Sequence, residues 1–174
     1  NNTRPDALRH YLRTNKMDAP LYGLYGLIYD SMSLLRAAED GDLDALRRRI
    51  ARGDHVDDRD GRRNTPLMRA CYEGHLECAQ ALIDAGAAVG MVDDNGLTAL
   101  MEACLSGKHE CTRALIDAGA AVDVVNNFER TALMMACGMG RLECVRALID
   151  AGAAVDMVDT HGNTALMLAC QSGH

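Results

Sequence analysis

From about residue 34 onward, apolar positions fall in short helical bursts that return every 33 residues. Thr65-Pro66-Leu67-Met68 recurs as Thr98-Ala99-Leu100-Met101, Thr131-Ala132-Leu133-Met134 and Thr164-Ala165-Leu166-Met167. Residues 93–125 and 126–158 are identical at 21 of 33 positions, so a unit has been copied. Each Thr supplies a hydroxyl suited to capping a helix N-terminus, and Pro66 sits in the first turn, where its missing N–H costs nothing. The helix so opened ends at Gly74, Gly107, Gly140 or Gly173. A second apolar stripe follows, Leu76, Ala79, Leu82 and Ile83 in the first full unit, and stops at Gly86, Gly119 or Gly152, residues fit for a left-handed C-cap. Two helices this short cannot bury both their faces alone, so each unit must stack on its copies. The spacing predicts an all-α repeat solenoid of stacked helix-turn-helix units with short hairpin loops.

The period, the T-P/A-L-x-x-A opening, the G-H-L-E-C step and the A-L-I-D-A-G-A-A-V-D close together resemble the ankyrin repeat over about residues 60 to 174. Residues 34–59 fit as a divergent earlier unit, because Gly41 and Gly53 lie 33 residues before Gly74 and Gly86. The chain divides into an N-terminal docking arm or cap extension (1–33), the divergent unit, units 60–92, 93–125 and 126–158, and a partial unit 159–174. The resemblance implies an L-shaped array whose hairpins project from a wall of helix pairs. It also implies that partners lie against the hairpin tips and first helices of the concave side. Two departures carry expectations of their own. The His that usually ends the opening tetrapeptide is Met68, Met101, Met134 and Met167, so apolar contact is expected in place of His-mediated hydrogen bonds. The Gly two places before Thr survives as Gly96 and Gly162 but is Arg63 and Glu129 in the alternate units, where less regular turns are expected. The first unit lacks the Thr start, as a terminal cap would. Residue 174 falls inside a unit, leaving the Leu166, Leu168 and Ala169 region open, and the Asn1-Asn2-Thr3 start reads as part of something longer.

Composition narrows the picture. Hydrophobic residues make up 48% of the chain, but it has one Phe, five Tyr and no Trp, so its core must come from Ala, Leu, Ile, Val, Met and Cys, a helical palette. The formal charge of -7 offers no surplus of cations for phosphate, which speaks against nucleic acid as a partner. The longest apolar run, Leu21 to Tyr29, is half of what a membrane-spanning helix needs. The first 33 residues differ in kind, with a net charge of +1, four of the five tyrosines and two of the three prolines. Pro5 to Thr14 can form a short helix with Leu8, Tyr11 and Leu12 on one face. Leu21 to Tyr29, including Tyr22 and Tyr25, reads either as a docking arm or as a lid over the first unit.

Candidate chemistry is sparse. The seven cysteines form two series spaced by 33, Cys71, Cys104, Cys137 and Cys170, and Cys78, Cys111 and Cys144, with none of the close pairs that zinc favours. They read as buried structural thiols and lean the chain towards an intracellular reducing compartment. His75 and His174 hold the repeat's G-H position, His109 is displaced by one, and no H-E-x-x-H occurs. Glu110 with Arg113 and Glu143 with Arg146 read as surface ion pairs. Asp84, Asp117 and Asp150 recur near helix C-termini, where the macrodipole disfavours them, and are read as a solvated, copied position. There is no phosphate-binding glycine loop, nucleophile elbow or kinase signature. No catalytic, cofactor or metal residues and no small-molecule substrate are therefore expected.

Function is expected where the copies differ. On the concave side these positions are Arg62, Arg69 and Tyr72; Leu97, Glu102 and Leu105; Phe128, Arg130, Met135 and Met139; and His161 and Leu168. Asn64, Glu73, Asn95, Ser106, Asn163 and Gln171 lie beside them. Large apolar side chains at positions a solenoid exposes point to a non-catalytic module that binds a protein partner. Two other readings stay open. The chain is an accessory subunit held in a large complex, an organellar membrane assembly among them, or it recruits substrate for an enzyme whose catalytic domain lies outside these residues.

Overall fold

The repeated threonines cap helices as their spacing predicts. In a computed structural model describing residues 33–174, the Thr65, Thr98, Thr131 and Thr164 hydroxyls accept the amides of Met68, Met101, Met134 and Met167. They open the inner helices α3 (Pro66–Glu73), α5 (Ala99–Ser106), α7 (Ala132–Gly138) and α9 (Ala165–Gln171). Each of the first three is followed by an outer helix: α4 (Leu76–Asp84), α6 (His109–Asp117) and α8 (Leu142–Asp150). The divergent unit forms the same pair, α1 (Leu34–Asp40) and α2 (Leu43–Ala51), with the Ser33 hydroxyl in place of Thr as the cap of α1. Among the described residues there is no strand, only an isolated bridge between Val92 and Thr98. The architecture is the all-α repeat solenoid that the period predicts. The N-terminal expectations, the Pro5 to Thr14 helix and the Leu21 to Tyr29 arm with Tyr22 and Tyr25, lie outside the described residues.

Stacking is what buries the core. Leu67, Leu100 and Leu133 are 1%, 1% and 2% exposed, whereas Leu166, at the same place in α9 but with no further unit against it among the described residues, is 73% exposed. That contrast measures what a neighbour covers, roughly 2 kcal/mol of apolar burial for one leucine. Met68, Met101 and Met134 are equally buried, so apolar packing fills the position where the repeat usually carries His. Met68 adds a weak polar contact, its sulfur accepting the Thr65 amide at 3.4 Å. Inner helices stack closely on one another, while shallow grooves lined by Leu43, Ile50 and Leu76, and by Ile83 and Ala114, separate the outer ones. The stack therefore bends towards its inner side.

A second link joins each unit to the one before it. His75, Lys108, Arg141 and His174, spaced by 33, lie across Gly41, Gly74, Gly107 and Gly140 at the ends of the preceding inner helices. A Cβ at Gly41 would come within 2.6 Å of the His75 ring, and Gly41 also has φ of 70°, so both contact and backbone require glycine. His75 Nε2 donates to the Glu39 carbonyl and Arg141 Nε to the Leu105 carbonyl, satisfying oxygens that a helix C-terminus leaves open.

Five of the seven cysteines are buried, but Cys137 is half-buried and Cys170 exposed, a correction to the expectation of seven buried thiols. The physical reason is the same stacking. Cys71 lies beside Cys111 and Cys104 beside Cys144, each inner-helix thiol meeting the outer helix of the next unit, and among the described residues Cys137 and Cys170 have no such neighbour. Interaction with the partner thiol, followed by burial, pushes Cys71 and Cys104 well above the ordinary thiol range. Thr112 stands within the second pair, its hydroxyl 3.8 Å from Cys104 Sγ and 3.5 Å from Cys144 Sγ.

Candidate functional site

The face that could meet a partner is built from hairpin tips and inner helices. Each hairpin starts with an acid or amide whose side-chain oxygen accepts two backbone amides of the turn. Asp60 Oδ1 takes those of Arg62 and Asn64, Asp93 those of Asn95 and Leu97, Asn126 those of Phe128 and Arg130, and Asp159 those of His161 and Asn163. Successive tips are tied by one backbone bond each, Asp94 to Arg62, Asn127 to Asn95 and Thr160 to Phe128. The tips thus form a continuous edge of fixed register, from which unshared side chains project.

This bracing corrects the expectation of irregular turns at Arg63 and Glu129. Both residues take the left-handed conformation that Gly96 and Gly162 take, with φ of 64° and 58°. The two amides gathered by Asp60 and by Asn126 impose the turn, and the non-glycine residue bears the strain.

The unshared residues separate into two groups along the row. Towards the first units the row is charged. Arg62 is exposed, and the half-buried Arg69 is committed to Asp60 at 2.8 Å. Although desolvation opposes it, the Arg69 guanidinium and the two turn amides hold the Asp60 carboxyl down at about 2. Tyr72 is 43% exposed. Glu102 is half-buried with no ion pair, and burial followed by the nearby charge of Asp93 raises its carboxyl to about 6, Arg69 pulling the other way. Towards the later units the row is apolar. Phe128 and Met139 are 56% and 45% exposed, and Leu97, Leu105, Met135 and Leu168 are half-buried around them. Arg130 borders this part, its Nε donating to Asp159 Oδ2 at 3.0 Å, and His161 is exposed at the last tip.

The apolar residues converge on one depression of about 540 Å³, lined by Leu97, Leu105, Phe128, Met135, Met139 and Leu168 with Arg130 at its border. Gly138, which sequence reasoning did not single out, also lines it. The signal for it was present: the position reads Tyr72, Leu105, Gly138 and Gln171 in successive units, so its side chain is lost in one copy alone. Of the two expected surface ion pairs, Arg146 meets Glu143 at 3.5 Å, whereas Glu110 and Arg113 form none. Asp84, Asp117 and Asp150 are exposed final residues of α4, α6 and α8, and only Asp84 gains a local partner, Gln80, at 2.8 Å. Among the described residues no three of His, Cys, Asp and Glu converge as a metal site would require, and no helix is long and apolar enough to cross a membrane.

A family model for ankyrin repeats, spanning three copies, matches residues 34–126 and 115–174. No curated protein matches the chain.

Proposed function

Because the chain belongs to the ankyrin repeat family, whose repeats are generally protein–protein interaction modules, we propose that it is a non-catalytic module that holds a protein partner against its concave row. The observation that carries this reading is the gathering of Phe128, Met139, Leu105, Met135 and Leu168 around one depression on a face whose backbone is already fully braced. These side chains sit at positions where the copies differ, whereas the buried Leu and Met of the stack sit where the copies agree. Exposed aromatic and thioether groups beside an arginine are the residue types that supply most of the energy in protein interfaces.

The test is a comparison of interaction sets recovered from cell extract with the full chain. Tyr72→Ala plus Phe128→Ala on the concave row is set against Leu142→Ala plus Ile149→Ala on the outer helices, which are 57% and 50% exposed in the native chain. The reading expects the concave pair to lose the partner and the outer pair to keep it. Equal recovery by the concave pair removes the concave face from consideration.

A further inference from the structure

Gly138 is a glycine that neither backbone nor packing explains. Its φ is not positive, and a Cβ built on it would meet nothing nearer than Leu168 Cβ at 3.9 Å, an ordinary contact. Glycine at the end of α7 therefore relieves no clash and meets no positive φ. Gly138 lines the depression together with the two leucines of the preceding unit, Leu97 and Leu105, with Phe128, Met135 and Met139, and with Leu168, so its missing side chain leaves space there.

Arg130 stands at the border of this pocket in a fixed pose. Its Nε is held by Asp159, whose side chain is fully buried, and among the described residues its terminal nitrogens have no acceptor. A guanidinium oriented from behind with its fork free is prepared for a bidentate acceptor, and a carboxylate is the group that matches it. No carboxylate with a free oxygen lines the pocket to receive a cation instead: its other polar residues are Asn95, Asn126 and Ser172, and Glu102 is not among the lining residues.

Resting on the reading of this face as a protein-binding surface, we infer that the pocket over Gly138 receives one large apolar side chain of a partner segment that also presents an Asp or Glu carboxylate to Arg130. The volume admits one large side chain together with neighbouring atoms of its segment, and is too small for a whole folded element. The rim, formed by the exposed Phe128 and Met139, covers the anchor once it is seated. The net acidity of the chain works against a partner with many carboxylates, so a single acid beside the anchor is the pattern that fits.

The experiment immobilises the full chain and sorts a random library of 12-residue peptides displayed on phage, then measures the most enriched peptides by calorimetry. Enrichment of Leu, Ile, Met, Phe or Trp with Asp or Glu within four positions is expected. Gly138→Leu is expected to weaken these peptides at least tenfold while leaving the melting temperature unchanged or raised, because a Cβ at this position meets only an ordinary contact and the side chain beyond it extends into the pocket. Arg130→Gln is expected to weaken the acidic peptide similarly but not its amide counterpart. No enrichment, enrichment of basic or uncharged peptides, or full binding by Gly138→Leu overturns the inference. If peptides bind Gly138→Leu normally yet are lost with Tyr72→Ala plus Phe128→Ala, the pocket fails and the concave reading stands. If they ignore both, both fail.

Discussion

Leu133 and Phe128 stand five residues apart in one unit, yet the first is 2% exposed and the second 56%. They represent two regions under different demands. The stacking faces carry the copied residues, the Thr caps, the Leu-Met pairs and the thiols, and each is buried only because an identical neighbour lies against it. The concave row carries what was not copied, and its side chains project from a frame that holds without them. In a stacked array the shared part of the sequence supplies stability and the unshared part is free to bind.

The comparison is broken most strongly from the stacking side. Leu100→Ala is expected to cost about 3 kcal/mol by urea unfolding, whereas Leu142→Ala, a leucine 57% exposed on the outer helices, is expected to cost under about 0.5 kcal/mol. Equal losses would mean that stacking is not what buries the core.

Some concave residues belong to the frame in spite of their address, and Asp60 is the clearest. Its carboxyl is held at about 2 against an ordinary 3.8, so its contribution is present above pH 3.8 and is lost as pH falls towards 2. Asp60→Asn is expected to cost about 2 kcal/mol at pH 7 and almost nothing near pH 2, read from unfolding across that range. Glu102 shows the opposite sign. Its carboxyl is raised from 4.5 to about 6, so the ionised form weighs against the fold above pH 6 and that cost disappears as pH falls through 6 towards 4.5. Glu102→Gln is expected to stabilise by about 1 kcal/mol at pH 7.5 and to give no gain at pH 4. Arg63→Gly has the smallest effect, a gain of about 0.5 kcal/mol from relieving a residue held at positive φ, partly offset by the freedom glycine adds to the unfolded chain.

The period of 33, the Thr caps and the terminating glycines made the helix pairs legible from sequence, because each signal is local and was repeated. Features that depend on a neighbouring unit were not legible. Lys108 and Arg141 share with His75 only a basic group, and nothing in the sequence showed that all three cover the glycine that ends the preceding inner helix. Cys137 was counted with the buried thiols because its own unit looks like the others; what differs is the cover from outside it. On the concave row, Tyr72 and Phe128 could be picked out as large apolar groups at exposed positions, but Arg69 and Arg130 looked alike. Only geometry separates the arginine spent on Asp60 within its unit from the one braced by Asp159 of the next, with its fork free. Gly138 escaped notice because a pocket is made by an absence, and a glycine two residues from the repeat's terminating Gly140 reads as part of the same helix end.

The division between frame and row is tested most directly by urea unfolding of Leu133→Ala and Phe128→Ala side by side. The account predicts a loss of about 3 kcal/mol for Leu133→Ala and under about 1 kcal/mol for Phe128→Ala, with the slope of the transition unchanged in both. Losses of equal size would contradict it, since Phe128 would then be holding the fold and would not be free to hold anything else.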